Sequence, residues 1–225
     1  MLALLQCIFY SCISPASAAR LKCADSPVAF EFEGSEKIKC VCKTARSGVT
    51  FLKTLGLETT GVITIKLVDH LPPHQMHNFI GCYNPGSREV DLLTYSKAVE
   101  LSQENKSMLG IGINEEIWCS YAAHELAHAI SNQYINPATK NHLAGEYIAA
   151  VTQLAVLTSE SREKILDKFA NIEAYKSRAE MSVYYYLLAP KEFTVKCYLH
   201  FVSLDKPKEF IERLVNEENG GWDGY

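Results

Sequence analysis

The residues best able to do chemistry in this chain are His124, Glu125 and His128, in the run Ser120-Tyr121-Ala122-Ala123-His124-Glu125-Leu126-Ala127-His128. They form the pattern H-E-x-x-H. Two histidines four positions apart lie on one face of a helix, so both imidazoles can reach a single metal ion. A glutamate beside the first of them can take a proton from a metal-activated water. With 7 histidines in 225 residues, random placement would give this pattern far less often than once. A buried helix that pairs two histidines with carbonyls is the plainer reading, and it gives no reason for Glu125.

A catalytic zinc ion usually has three protein ligands and one open position. The third ligand is sought downstream. A metzincin would need Gly at 131 and His at 134, where this chain has Ser131 and Tyr134. The first aspartate after the motif is Asp167, in a polar stretch. Glu146 fits best, standing near the start of an otherwise apolar run, where an acid is costly unless it is paired or bound to a metal. His142, one turn earlier, is the rival.

On these residues the chain resembles the gluzincins, the thermolysin-like HExxH metallopeptidases whose third zinc ligand is a glutamate on the following helix. The resemblance spans about residues 60–158 and includes a strand hairpin before the motif helix; it is closest to small exported bacterial proteins of this kind. It implies a zincin-like fold, a zinc ion held by His124, His128 and Glu146, and Glu125 as the general base that later passes its proton to the leaving amine. It also implies a peptide or protein substrate and a Tyr or His donor to the developing oxyanion, for which Tyr184, Tyr185, Tyr186 and His200 are the candidates by position. The last strand before the motif helix, Glu89 to Leu93, would be the groove wall that pairs with an extended peptide. One departure stands out. Gluzincins carry an acid shortly after the ligand glutamate to orient a histidine, and this chain has Ala149-Ala150 there. A zinc-binding structural or interaction protein with little or no catalysis is the second reading.

The elements that must position these residues give an α+β chain. Strands are expected at 28–33, 62–68, 79–83 and 88–94, the last two joined as a hairpin by Asn84-Pro85-Gly86-Ser87. The β-branched run Val62 to Val68 reads as a central strand covered on both faces. A first helix, capped by Ser35, spans about 38–55. Residues 102–107 read as a surface loop. Asn114 is a good N-cap for the motif helix, 115–133, with Glu115 and Glu116 in its first turn. Further helices are expected from 138 or 139 to 157, from 159 or 161 to 172, and over 178–187, 191–204 and 206–216. One domain of residues 19–225 follows, with sheet and motif helix in 19–134 and a helical part in 135–216.

Composition narrows the setting. Hydrophobic residues make up 48% and charged residues 21%, with a net charge of −4, as in a core-forming globular protein. No basic run points to nucleic acid. The apolar stretch Met1 to Ile13, the break at Ser14-Pro15 and the small residues Ala16-Ser17-Ala18 read as a signal peptide cleaved near Ala18, although no Lys or Arg precedes the apolar run. The mature protein would be secreted or periplasmic, without a stable membrane anchor. Six cysteines would then remain, enough for up to three disulfides. His70, His74 and His77 form a second histidine group, read as a plain Pro-containing loop. Nothing in the sequence indicates an oligomeric state.

Overall fold

A computed structural model describes residues 19–32, 37–72, 79–105, 109–136 and 141–216; the expected signal peptide, Ser35, His74 and His77 lie outside them. The strands are β1 (Ala19–Lys22), β2 (Val28–Phe32), β3 (Ile63–Val68), β4 (Gly81–Asn84) and β5 (Glu89–Leu93). They form one mixed sheet in the order β1-β2-β3-β5-β4. β2, β3 and β5 run parallel, and β1 and β4 are antiparallel to their neighbours. The helices are α1 (Ile38–Thr54), α2 (Tyr95–Asn105), α3 (Glu115–Ser131), α4 (His142–Ala155), α5 (Ser159–Lys168), α6 (Val183–Leu188), α7 (Pro190–Ser203) and α8 (Pro207–Asn216). The chain is α+β, as its sequence pattern implies.

α1 is the crossover between the parallel strands β2 and β3. It packs on α3, and α3 packs on β3, β4, β5 and α4. One core joins these layers, from Phe30, Ile63 and Leu92 in the sheet to Trp118 and Leu126 in α3 and Tyr147 in α4. The α1–α3 crossing is close. A Cβ on Gly48 would stand 3.2 Å from that of Ala123, so these small residues let the two helices meet.

Two disulfides hold α1 near its start. Cys23 in the β1–β2 turn bonds Cys42, and Cys40 bonds Cys119 of α3. Two of the three possible bonds are thus present; Cys82 and Cys197 stand outside them. No helix among the described residues is long and apolar enough to cross a membrane.

Several expectations are corrected. β3 is central, but it is not covered on both faces. Ile63, Ile65 and Leu67 are buried under the helices, while Thr64, Lys66 and Val68 alternate onto a half-open face. Lys66 there pairs with Glu89 at 2.8 Å. The polar stretch 102–105 is not a loop but the end of α2, whose Ala98 is buried while Gln103 faces solvent. The helix expected over 178–187 is split. A 3₁₀ turn, Arg178–Glu180, precedes extended Met181, which buries its side chain, and α6 starts after Ser182. β1 has no counterpart among the expected strands, because its pattern Ala-Arg-Leu-Lys offers no buried face; all four residues are exposed.

Candidate metal centre

α3 is fixed at several points. The Asn114 side chain accepts from Ile117 N at 2.9 Å, and Glu115 and Glu116 sit in the first turn, where negative charge suits the helix dipole. Trp118 is fully buried and its indole N–H donates to Leu93 O at 2.8 Å, tying the helix to the end of β5. One turn and more beyond this anchor, His124 and His128 face α4, and Glu125 faces β4.

α4 brings the third group. Its N-cap, Asn141, accepts from Ala144 N at 3.1 Å and also donates to Leu214 O at 3.3 Å. Gly145 permits the approach to α3: a Cβ there would lie 3.3 Å from His128 Nδ1. The next residue, Glu146, then reaches both histidines. His124 Nε2 and His128 Nε2 are 3.2 Å apart, with Glu146 Oε2 3.8 Å from the first and Oε1 3.6 Å from the second. A tetrahedral ion with ligands at ~2.0–2.1 Å spaces its donors by about 3.3–3.4 Å; one ligand atom from each of the three residues lies within 4.8 Å of the others, so a small adjustment would bring all three onto one ion. Each keeps just under a fifth of its side-chain surface accessible, 18%, 18% and 19%. No other group of three such residues converges among the described residues.

Behind His124, its Nδ1 lies 3.1 Å from Gln153 Oε1, and Gln153 Nε2 donates to Ser120 Oγ at 3.2 Å. Gln153 also hydrogen-bonds the Tyr121 hydroxyl. Tyr186 hydrogen-bonds Glu146. α4 carries Glu146, Ala150 and Gln153 along one stripe, by the i, i+4, i+7 spacing of a helix face.

The electrostatics follow from burial and proximity. Burial pushes the Glu125 carboxyl up to about 7, with Glu146 adding to the rise and His128 opposing it. Burial disfavours the His128 imidazolium, but Glu146 beside it outweighs this and raises the group to about 9. Burial would also raise Glu146; His128, His124 and Tyr186 bring it down to about 2 instead. His124 falls to about 4 through burial and the neighbouring His128 charge. Without an ion, the proton therefore rests on His128, between Glu146 and the bare Nε2 of His124. A cation would replace that proton.

Glu125 is held by β4, the edge strand. Leu93 N donates to Ile80 O and Arg88 N to Asn84 O. The two-residue alternation of an antiparallel ladder then turns the backbone of Ile80, Cys82 and Asn84 toward β5, and that of Gly81 and Tyr83 toward the open edge. Glu125 accepts the outward Tyr83 N–H. At Gly81 a Cβ would fall 2.6 Å from Glu125 Cγ, so only glycine lets the strand pass this close. Between α3, α4, α6, α7 and the segment that leads into β4 lies a cleft of about 490 Å³, its mouth included. His124, Glu125, Glu146 and Tyr186 line it, with Ile80, Leu109 and Phe193 supplying apolar wall.

Of the expected site residues, the structure brings together His124, Glu125, His128 and Glu146. The rival ligand His142 is exposed at the first residue of α4 and stands outside the group. His70 is exposed. Of the four donor candidates, only Tyr186 lines the cleft. Tyr184 is 69% exposed, Tyr185 stacks edge-on against Tyr175, and His200 is buried with Nδ1 2.7 Å from the Tyr147 hydroxyl. The groove wall is also reassigned: β5 is paired on both sides, by β3 and β4, so the open edge is β4. Gln153, Gly81 and Tyr83 are contributors that sequence reasoning missed. Gln153 had a signal, since a glutamine inside an apolar helix needs partners.

An α+β chain with a buried HExxH helix and a glutamate delivered by the next helix defines a protein with a candidate metal centre. The chain belongs to DUF6639, a family of unknown function, whose profile matches residues 29–219. No curated protein and no solved structure matches it.

Proposed function

We propose that this protein is an exported zinc-dependent peptidase of zincin-like fold. The observation that carries the reading is the grouping of His124, His128 and Glu146, with Glu125 lining the same cleft as His124 and Glu146. Two imidazoles and one carboxylate with an open side are a donor set that suits zinc. When bound, the ion would lower the pKa of a coordinated water toward ~7 and polarise a carbonyl.

The chain's own residues supply the rest. Glu125, poised by burial near neutrality, takes a proton and returns it to the leaving amine. Tyr186, whose hydroxyl donates to Glu146 without an ion, would turn that one donor to the developing negative charge once Glu146 ligates the metal. An extended peptide would add to the open edge of β4 through the outward N–H and C=O of Gly81, placing its backbone alongside Glu125. Export is supported by the N-terminal pattern at residues 1–18 and by two disulfides, which persist in oxidising compartments.

The test is zinc content by elemental mass spectrometry, followed by cleavage of a mixed peptide library by wild type and Glu125→Gln. One zinc per chain and cleavage lost in the variant are expected. Bound zinc with equal cleavage would sink the peptidase reading and leave a structural zinc. Absence of zinc would sink both.

A further inference from the structure

The position that gluzincins fill with an acid is Ala149-Ala150 here, yet His124 is not left without a partner. Gln153, one turn further along the same stripe of α4, reaches its Nδ1. An amide can face a ring nitrogen with either its oxygen or its nitrogen, and the surrounding bonds decide which. The Ser120 hydroxyl proton is committed to Ile117 O at 2.7 Å, so toward Gln153 its oxygen can only accept. The Gln153 NH₂ must therefore point at Ser120, where the distance is 3.2 Å; the Gln153 side chain also hydrogen-bonds the Tyr121 hydroxyl. This leaves Gln153 Oε1 to face His124. An oxygen acceptor there requires a proton on His124 Nδ1, and the neutral ring then has a bare Nε2 aimed at His128 and Glu146. Gln153 and Ser120 are both buried, at 2% and 0% exposure, so these bonds are made largely out of solvent.

We propose that Gln153, locked by Ser120 and Tyr121, is the positioning residue that holds His124 in the tautomer able to ligate a metal. The inference rests on the metal reading above only for its consequence, since the tautomer is set by hydrogen bonds present without an ion. A neutral amide in place of a carboxylate also leaves the centre one negative charge poorer than an acid-oriented site.

The experiment pairs two readouts on the full mature chain. Zinc affinity is measured by competition with a chromophoric chelator, and the His124 tautomer by long-range ¹H–¹⁵N correlation in the metal-free protein. Wild type is expected to show Nδ1–H at His124. Gln153→Leu is expected to lose that signature to a tautomer mixture and to bind zinc about 10- to 100-fold more weakly. Wild-type affinity together with an unchanged signature in Gln153→Leu would overturn the proposal. Should that variant not fold, the pair Ser120→Ala and Tyr121→Phe leaves Gln153 in place but unlocked. The same two changes are expected there, and their absence overturns the proposal equally. Wild-type protein that shows the Nδ1–H signature but takes up no zinc would overturn the metal reading and support the relay.

Discussion

At one edge of the sheet β1 lies open to solvent, every residue from Ala19 to Lys22 exposed. At the other edge β4 lies against the motif helix, with Glu125 seated on its outward backbone. Unpaired strand edges invite other strands, and proteins often blunt them with charge. β1 follows that rule: it carries Arg20 and Lys22, and Arg20 reaches Glu31 at 3.6 Å. β4 does not. Its outward positions are Gly81 and Tyr83, neither of them charged, and the Glu125 carboxyl takes the Tyr83 N–H. The difference teaches that an edge without charges of its own is informative when an ionisable group has been brought to it.

The largest effect that would test this contrast is chemical. Glu125→Gln keeps the shape of the side chain and removes the proposed base. Its cleavage rate should fall by about 10²- to 10⁴-fold with zinc retained, measured as initial rates on peptide. A variant that cleaved like wild type would reduce the β4 edge to a structural surface.

Next in size is the fastening of the two edges. The Cys40–Cys119 bond closes a loop of 79 residues and ties α1 to the site helix; Cys23–Cys42 closes 19 and ties α1 beside β1. Chain-entropy arguments give about 4.5 kcal/mol for the first and about 3 kcal/mol for the second. Paired Cys→Ala variants should therefore lower the denaturant midpoint in that order. Loss of cleavage by the folded protein should accompany only the Cys40/Cys119 pair. Equal loss from the Cys23/Cys42 pair would break the distinction between the edges.

Gly81→Ala is the sharper probe of β4 itself. The added methyl meets Glu125 Cγ, and overpacking of this kind costs roughly 1–3 kcal/mol. On the peptidase reading activity should fall further than stability, because the atom displaced belongs to the proposed base. Thermal unfolding and cleavage measured side by side would separate the two, and a fully active Gly81→Ala protein would contradict the close approach.

Much of this site is legible in the sequence. His124 and His128 can be placed together because a spacing of four maps directly onto a helix face. Glu146 can be added because an acid opening an apolar helix needs a partner. The order of strands is another matter. Nothing local in Glu89 to Leu93 or in Gly81 to Asn84 tells which is the edge, since that depends on β5 pairing with β3 across a long crossover. The open face of β3 is hidden for a related reason: a β-branched run looks alike whether one face or two are covered, and Lys66 is the single residue that hints otherwise. Gln153 depends on a rotamer and on Ser120, thirty-three positions away, and no spacing rule joins them.

A smaller effect concerns protons. In the metal-free protein Glu146 holds the His128 imidazolium up to about 9. The stability this gives is full below the unfolded histidine value near ~6.5 and is lost as pH rises through 9. Glu146, brought down to about 2, gives stability that is present above the unfolded glutamate value near ~4.3 and is lost as pH falls through 2. At pH 8 zinc must displace the His128 proton, while His124, at about 4, is already neutral. Binding should release about one proton, and affinity should rise about tenfold per pH unit until 9. Calorimetry in two buffers of different ionisation enthalpy measures this, and zinc binding without proton release at pH 8 would show that the His128–Glu146 pair does not hold the proton.

The smallest effect is expected at β1. Arg20 and Glu31 are 65% and 33% exposed, and such a pair contributes about 0–1 kcal/mol. Arg20→Ala should leave both unfolding and zinc affinity close to wild type. The value of this variant lies in its pairing with Gly81→Ala, since each alters one side chain on one edge of the same five-stranded sheet. If Arg20→Ala weakened cleavage as much as Gly81→Ala, then β1 would be transmitting to the site through β2, β3 and β5, and the sheet would act as a coupled plate. If it left cleavage untouched, the β4 edge would owe its sensitivity to Glu125 alone, because that carboxylate is what the two edges do not share.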